Sequence, residues 1–599
     1  MKECDLILKG GVTSGVVYPK AIRKIGEHYR LRSIGGTSAG AMAAALAAAA
    51  EYRRQQGGGG KGYQALDAVD THLATNMRAM LQPSPALAPV FHIGIRYLEQ
   101  GGLGRGVRAR FRTLRDCHRL LKPYRRQAEP AAMRNGGLVF GGGVLGALAL
   151  GSGALAGAAA VAGAGVFAVQ TALNVLRSIE AAFKAHDYGV LPGTTQGQNK
   201  EQAVIDWLAD EIDRIAGNWP GGTAPETPLT AGDLHGKGIV LSSVTTDLTS
   251  QRPFQMPLKV PEHYYFREED LKRVIPPRVV RWMVEKSAGT PKRISIGGRM
   301  ETFLPLPDWK DIPVILVTRM SMSFPGLIQA VPLWRYDSEV QEWVRCLFSD
   351  GGISSNLPVH MFDAWLPRRP TFAISLGTYD KHRHGADPED PADVSNRVRF
   401  TDAKRNVLEY PSVRIDGVFS FLLYMFYSAK DWQDRLQSDL TGFAERVATI
   451  YLDQRQGGLN LDMPAAEIER LQRYGERAGD LIATTFNFDE NRFRRALSIL
   501  PILGENLEQV SKYLNWQPPG GGGTTLKPYS EVLEKHQSEA FPQSADWQAG
   551  VLLEFAKELA KLGSTPVTAE LKNGNLPHTD AKLSLTATPD LTKPKDAAV

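Results

Sequence analysis

Ile34-Gly35-Gly36-Thr37-Ser38-Ala39-Gly40-Ala41-Met42 decides how this chain reads. Residues 29–34 ahead of it are β-prone, and residues 43–50 behind it are strong helix formers. The spacing predicts a strand, a sharp turn and a helix, with Gly36-Thr37-Ser38-Ala39-Gly40 forming a G-x-S-x-G elbow. Small residues two positions either side of Ser38 let strand and helix approach closely, and the serine Oγ projects from the tip. The helix opening at Ala39 turns its free N–H groups toward the same point, where a developing oxyanion is stabilised. A plain tight turn is the alternative reading of the five residues alone.

Working back toward the N-terminus, Leu6-Ile7-Leu8 reads as a buried first strand. It runs into Lys9-Gly10-Gly11-Val12-Thr13-Ser14-Gly15, and a helix is expected from about Val16. Paired glycines let successive N–H groups point one way, forming a nest for an anion or an oxyanion. Neither phosphate-loop pattern, G-x-x-x-x-G-K-[ST] or G-x-G-x-x-G, is present, so nucleotide binding is not expected. Met1 to Asp5 lacks the basic and long apolar regions of a signal peptide.

The chain has 599 residues, 43% hydrophobic and 22% charged, with a net charge of +6. That length allows two to four domains, and that charge is too small to argue for nucleic acid. Cys4, Cys117 and Cys346 are widely spaced and form no C-x-x-C pair, which argues against a disulfide framework or zinc site and fits a reducing compartment.

Far downstream stands Asp350-Gly351-Gly352. Together with the glycine loop at Gly10-Gly11 and the serine elbow, in this order, it resembles the patatin-like phospholipase family. Val240-Leu241-Ser242-Ser243-Val244-Thr245-Thr246-Asp247-Leu248, Ser321-Met322-Ser323-Phe324-Pro325-Gly326 and Phe372-Ala373-Ile374-Ser375-Leu376-Gly377 resemble that family's intervening segments. The likeness covers residues 1–50 and about 235–380. It departs at Val12, where the family usually has a third glycine, and at Ser14, where it has an arginine.

The resemblance implies a three-layer α/β hydrolase core and a Ser-Asp dyad, with Ser38 as nucleophile and Asp350 as its proton acceptor. It further implies carboxylic-ester hydrolysis of lipids through an acyl-enzyme, with oxyanion donors among Gly10, Gly11, Val12 and Ala39, and neither metal nor cofactor. Two alternatives stand beside this. Asp350 is also placed to cap an ordinary Asp-Gly-Gly turn, and a Ser-His-Asp triad has His360, His382, His384, His536 and His578 to draw on.

Residues 56–234 read as an insertion. Gly57 to Gly60 stop the elbow helix. Residues 105–134, from Arg105 to Arg134, hold ten basic side chains against two acidic ones, and residues 135–176 hold no charge at all. A single span needs about 20 apolar residues, so this run is long enough for a two-pass transmembrane hairpin turning at Gly151-Ser152-Gly153. The basic segment then suits an anionic membrane surface. Two buried Gly/Ala-rich helices are the competing reading. Only Phe111 and Tyr124 interrupt the cations, too few aromatics for base stacking, so no nucleic-acid partner is expected.

The expected organisation is a patatin-like core in two parts, 1–55 and 235–380, divided by that insertion. A helical C-terminal region follows at 381–517, then a linker and helix at 518–563 and a disordered tail at 564–599. Residues 418–427 are a dense apolar stretch suited to a core helix or a lipid-tail pocket. The expected activity is a phospholipase A-type lipid acyl hydrolase, synthesised in the cytoplasm and membrane-associated. The rivals are a membrane-perturbing protein with an inert core, and an acyltransferase or soluble esterase using the same serine.

Overall fold

The computed structural model describes residues 1–11, 14–99, 119–124, 126, 153–219, 221–258, 263–287, 289–388, 390, 392–400, 415, 421, 425, 428, 443–453, 456, 463–514, 529–535 and 548–565. A run of three apolar, fully buried residues at Leu6, Ile7 and Leu8 makes β1 (Lys2–Leu8) a central strand, covered on both faces. It pairs in parallel with β2 (Tyr29–Gly36) on one side and, much later in the chain, with β12 (Thr371–Thr378) on the other. Two further parallel neighbours, β4 (Val240–Asp247) beside β2 and β14 (Val447–Leu452) beside β12, complete a five-stranded parallel centre.

Antiparallel strands extend both sides. β13 (Val398–Phe400) caps β14, while β11 (Glu342–Asp350), β10 (Val331–Asp337), β6 (Tyr265–Phe266), β8 (Arg299–Pro305) and β7 (Lys292–Ile296) continue beyond β4, with β5 (Arg252–Met256) also on β4. The short strands β3 (Gly189–Leu191) and β9 (Gly326–Ile328) form a separate parallel pair. The fold is mixed α/β with a large central sheet and many helices, compatible with an α/β hydrolase-like architecture.

Three helices matter most for the site: α1 (Tyr18–His28), α2 (Ala39–Arg53) and α3 (Lys61–Met80). Twelve of the first thirteen residues of α2 are Ala, Gly, Met or Leu and all are buried, a composition that lets a helix lie close against a sheet. α3 and the helix Val204–Ala216, both from the expected insertion, pack on α2, so these parts of residues 56–234 build the core layer. The region after residue 380 is likewise not purely helical, because it supplies β13 and β14 to the sheet.

The transmembrane hairpin is not upheld. Among the described residues no helix is long and apolar enough to cross a membrane, which overturns the two-pass, integral-membrane expectation. The second half of the apolar run belongs to one helix, Gly153–Ala185, that continues well past residue 176. Its later turns carry Gln170, Thr171, Asn174, Arg177, Ser178, Glu180 and Lys184. Val175 packs with Tyr124 and Ile179, and Phe183 with Leu87 and Val190, so these apolar side chains lie against protein. Residues 135–152, most of 105–134, most of 418–427 and the 566–599 part of the expected tail lie outside the described residues.

Candidate active site

β2 ends at Gly36 and α2 begins at Ala39, leaving Thr37 and Ser38 to make the whole turn. Ser38 holds φ 53° and ψ −128°. Such a conformation costs a non-glycine residue about 1–3 kcal/mol and persists only where the surroundings impose it. The two glycines impose it here. A Cβ on Gly40 would stand 2.1 Å from the Leu8 carbonyl oxygen, and one on Gly36 would stand 2.5 Å from the Gly40 oxygen. β1, β2 and α2 therefore meet directly behind the serine.

A single strip of backbone, Ser321 to Ser323, positions both expected reacting residues. The Ser38 N–H donates to Ser321 O at 3.1 Å, with Ser321 Oγ at 3.3 Å. The Asp350 N–H donates to Ser323 O at 3.0 Å, and Ser349 Oγ donates to the same oxygen at 2.8 Å. The strip is anchored by Arg319, fully buried, whose guanidinium donates to Ser323 Oγ at 2.5 Å and to the carbonyls of Val274, Pro192 and Gln329. Burial pulls the Arg319 pKa down to about 9, against the pull of the Asp187 charge, so the group stays cationic at neutral pH.

Asp350 lies at the end of β11 and is 3% exposed. Its Oδ1 accepts the Gly352 N–H at 2.7 Å, the turn-capping bond anticipated for an Asp-Gly-Gly sequence. The turn is pressed against the elbow: a Cβ on Gly351 would meet Val244 O at 1.9 Å and Thr37 Cγ2 at 3.1 Å. Asn356, just beyond, accepts from both the Gly10 N–H and Thr37 Oγ1, each at 3.1 Å, and so joins the glycine loop to the same cluster.

Gly10 after β1, Ser38 after β2 and Asp350 at the end of β11, one strand beyond β4, are thus tied into one cluster. Because the Gly10 N–H already donates to Asn356, Gly10 does not serve as an oxyanion donor in this arrangement. Gly11 and Ala39 are the described candidates that remain, Ala39 as the first helical residue with no intrahelical acceptor for its N–H. Val12 lies outside the described residues. Among the histidines, His384 accepts the Asp380 N–H at Nδ1, stacks on Tyr379 and lies tilted against Tyr451, His382 sits in the same short helix Lys381–His384, His360 lies in the short helical turn Val359–Met361, and His536 and His578 are outside the described residues.

Beside Ser38 opens an apolar pocket of about 90 Å³. Met42, Leu73, Met77, Met80, Phe324 and Leu327 are among its walls. Its makers were visible only in part. The Ser321–Ser323 segment stands out in the sequence by its small residues and the following Pro325, whereas Arg319 and Asn356 carry no local pattern that separates them from any other Arg or Asn.

No protein-family model matches the sequence. The crystal structure of VipD from Legionella pneumophila aligns over 98% of this chain and 89% of that chain at 14% identity, with a TM-score of 0.25, which is too low to carry an argument. A protein of Rhizobium meliloti (strain 1021) described as an RpoH suppressor is 31% identical over 571 residues, spanning 83% of this chain and 86% of its own length. At that identity and coverage the chain belongs to the family of the Rhizobium meliloti RpoH suppressor.

Proposed function

We propose that the chain is a lipid acyl hydrolase with a patatin-type core, cleaving carboxylic esters of phospholipids at Ser38. The observation that carries this reading is the strained Ser38, held with the Asp350 turn by one backbone strip at the edge of an apolar pocket. Strain of this kind is concentrated where a side chain must be presented, and an acyl chain needs apolar walls beside the nucleophile.

In the proposed reaction Ser38 Oγ attacks the ester carbonyl carbon while its proton passes to the Asp350 carboxylate. The tetrahedral oxyanion is stabilised by the Gly11 and Ala39 N–H groups and by the N-terminal end of α2. On collapse the C–O bond breaks and the leaving alcohol takes the proton from Asp350. Water, deprotonated by Asp350, then attacks the acyl-serine; the fatty acid departs and Ser38 regains its proton.

Fatty-acid release from phospholipid vesicles tests this. Ser38→Ala and Asp350→Asn should each lower release at least about 10³-fold, and the double variant little further, since residues acting as a unit are not additive. A folded Ser38→Ala protein that released fatty acid at the parent's rate would refute the proposal.

A further inference from the structure

α3 turns Leu66, Val69, Leu73, Met77 and Met80 into the protein, and one charged residue goes in with them. Asp70 is 3% exposed, and among the described residues neither of its carboxylate oxygens meets a hydrogen-bond donor. Carboxylates so buried are normally paired, because desolvation of an unpaired one is costly. Gln472 does reach Asp70, but its Nε2 donates to the backbone oxygen.

Asp70 stands in the wall of a half-open cleft of about 580 Å³ between α1, α3 and the helix Ala465–Thr485. Most other charges there are matched. Arg23 pairs with Asp67 at 2.5 Å and Glu27 at 3.6 Å, and Lys24 pairs with Glu476 and Asp480 at 3.5 Å each. Lys20 acts on Asp70 through its field yet forms no ion pair with it among the described residues. Asp70 and Glu469 are left as the acceptors not claimed by these pairs, so the missing partner is a donor carrying positive charge.

We infer that this cleft is a binding site for a small organic cation with N–H donors, an aliphatic amine or guanidinium, whose charged end is received by Asp70. The space exceeds what a bare ion occupies, and among the described residues no cluster of three metal-ligating side chains is present. Thr71 and Thr75, whose hydroxyls donate to backbone oxygens of their own helix, keep lone pairs for a second N–H. The site is separate from Ser38 and does not depend on the hydrolase reading.

The probe is putrescine, titrated calorimetrically into the full chain, with agmatine as second cation and tetramethylammonium as a cation without N–H. Saturable putrescine or agmatine binding is expected, with Asp70→Asn weakening it about 10-fold or more, the loss of one charge-assisted hydrogen bond. Asp70→Asn keeps the side chain's shape and removes an unpaired charge, and its circular dichroism should match the parent's. Absence of binding by the parent, equal binding by Asp70→Asn, or tetramethylammonium binding as tightly as putrescine would each overturn the proposal; the last comparison needs no variant.

Discussion

Ser38 and Asp70 each violate a local preference, and they do so differently. At φ 53° a glycine would relax where the chain holds a serine, so the strain argues for the side chain rather than for the turn. At Asp70 the conflict is electrostatic. Burial raises its carboxyl from the ordinary 3.8 to about 7, with Lys20 opposing and Asp67 adding slightly. The folded chain therefore keeps this proton to higher pH than the unfolded chain. That favours the fold below about pH 4, and the contribution is lost as pH rises through about 7. Asp70→Asn removes the burden of the buried charge. Relative to the parent, the variant should gain stability above about pH 7, by up to about 4 kcal/mol, with the difference closing toward about pH 4. Thermal unfolding at several pH values checks this; a pH-independent difference would show that Asp70 does not titrate as described.

The helix Val314–Ser321 is buried along its whole length, with Arg319 embedded in it and bonded to four acceptors on three separate segments. It places the Ser321–Ser323 strip and, through it, both Ser38 and Asp350. Arg319→Met would leave those acceptors buried without donors, each worth about 1–3 kcal/mol. The variant should lose at least about 3 kcal/mol of stability in chemical denaturation, and Arg319→Lys should fall between it and the parent, since an ammonium lacks the planar fork. A Met variant as stable as the parent would show that Arg319 does not anchor the strip. This element also marks the limit of what local pattern reveals. The elbow and the Asp-Gly-Gly turn are legible because their geometry is dictated by glycines adjacent in sequence. Arg319 is not, because its partners at Pro192, Val274 and Gln329 are joined to it only by the fold. The apolar run misled for a related reason: apolar composition is the same for a helix packed on protein as for one in lipid, and only a neighbour such as Tyr124 against Val175, within the described part of that run, distinguishes them.

Across the whole molecule the sheet is assembled from chain segments far apart, with β1 at its centre between β2 and β12 and β14 outside β12. β14 was legible in principle, since Val447-Ala448-Thr449-Ile450-Tyr451-Leu452 is rich in β-branched and aromatic residues; its pairing with β12 was not. The helix Ala465–Thr485 then returns to α1 and fits without clearance. A Cβ on Gly475 would stand 1.7 Å from Val17 O, and one on Gly479 would stand 2.7 Å from Ala21 O. The residues after 380 are thus part of the central sheet's own packing. A chain ended at residue 380 would expose the β12 edge and the face of α1 that now meets this helix, an open edge beside apolar surface and hence a route to aggregation. Such a chain should fail to give a soluble monomer by size-exclusion chromatography or a cooperative melt by circular dichroism. Gly475→Ala in the full chain is the graded version: the added methyl has only backbone to displace, and a loss of about 1–3 kcal/mol is expected. If residues 1–380 melted cooperatively at the parent's temperature, and Gly475→Ala were neutral, the C-terminal region would be an attachment to a self-sufficient core; the interlocked backbone at Val17 predicts the opposite.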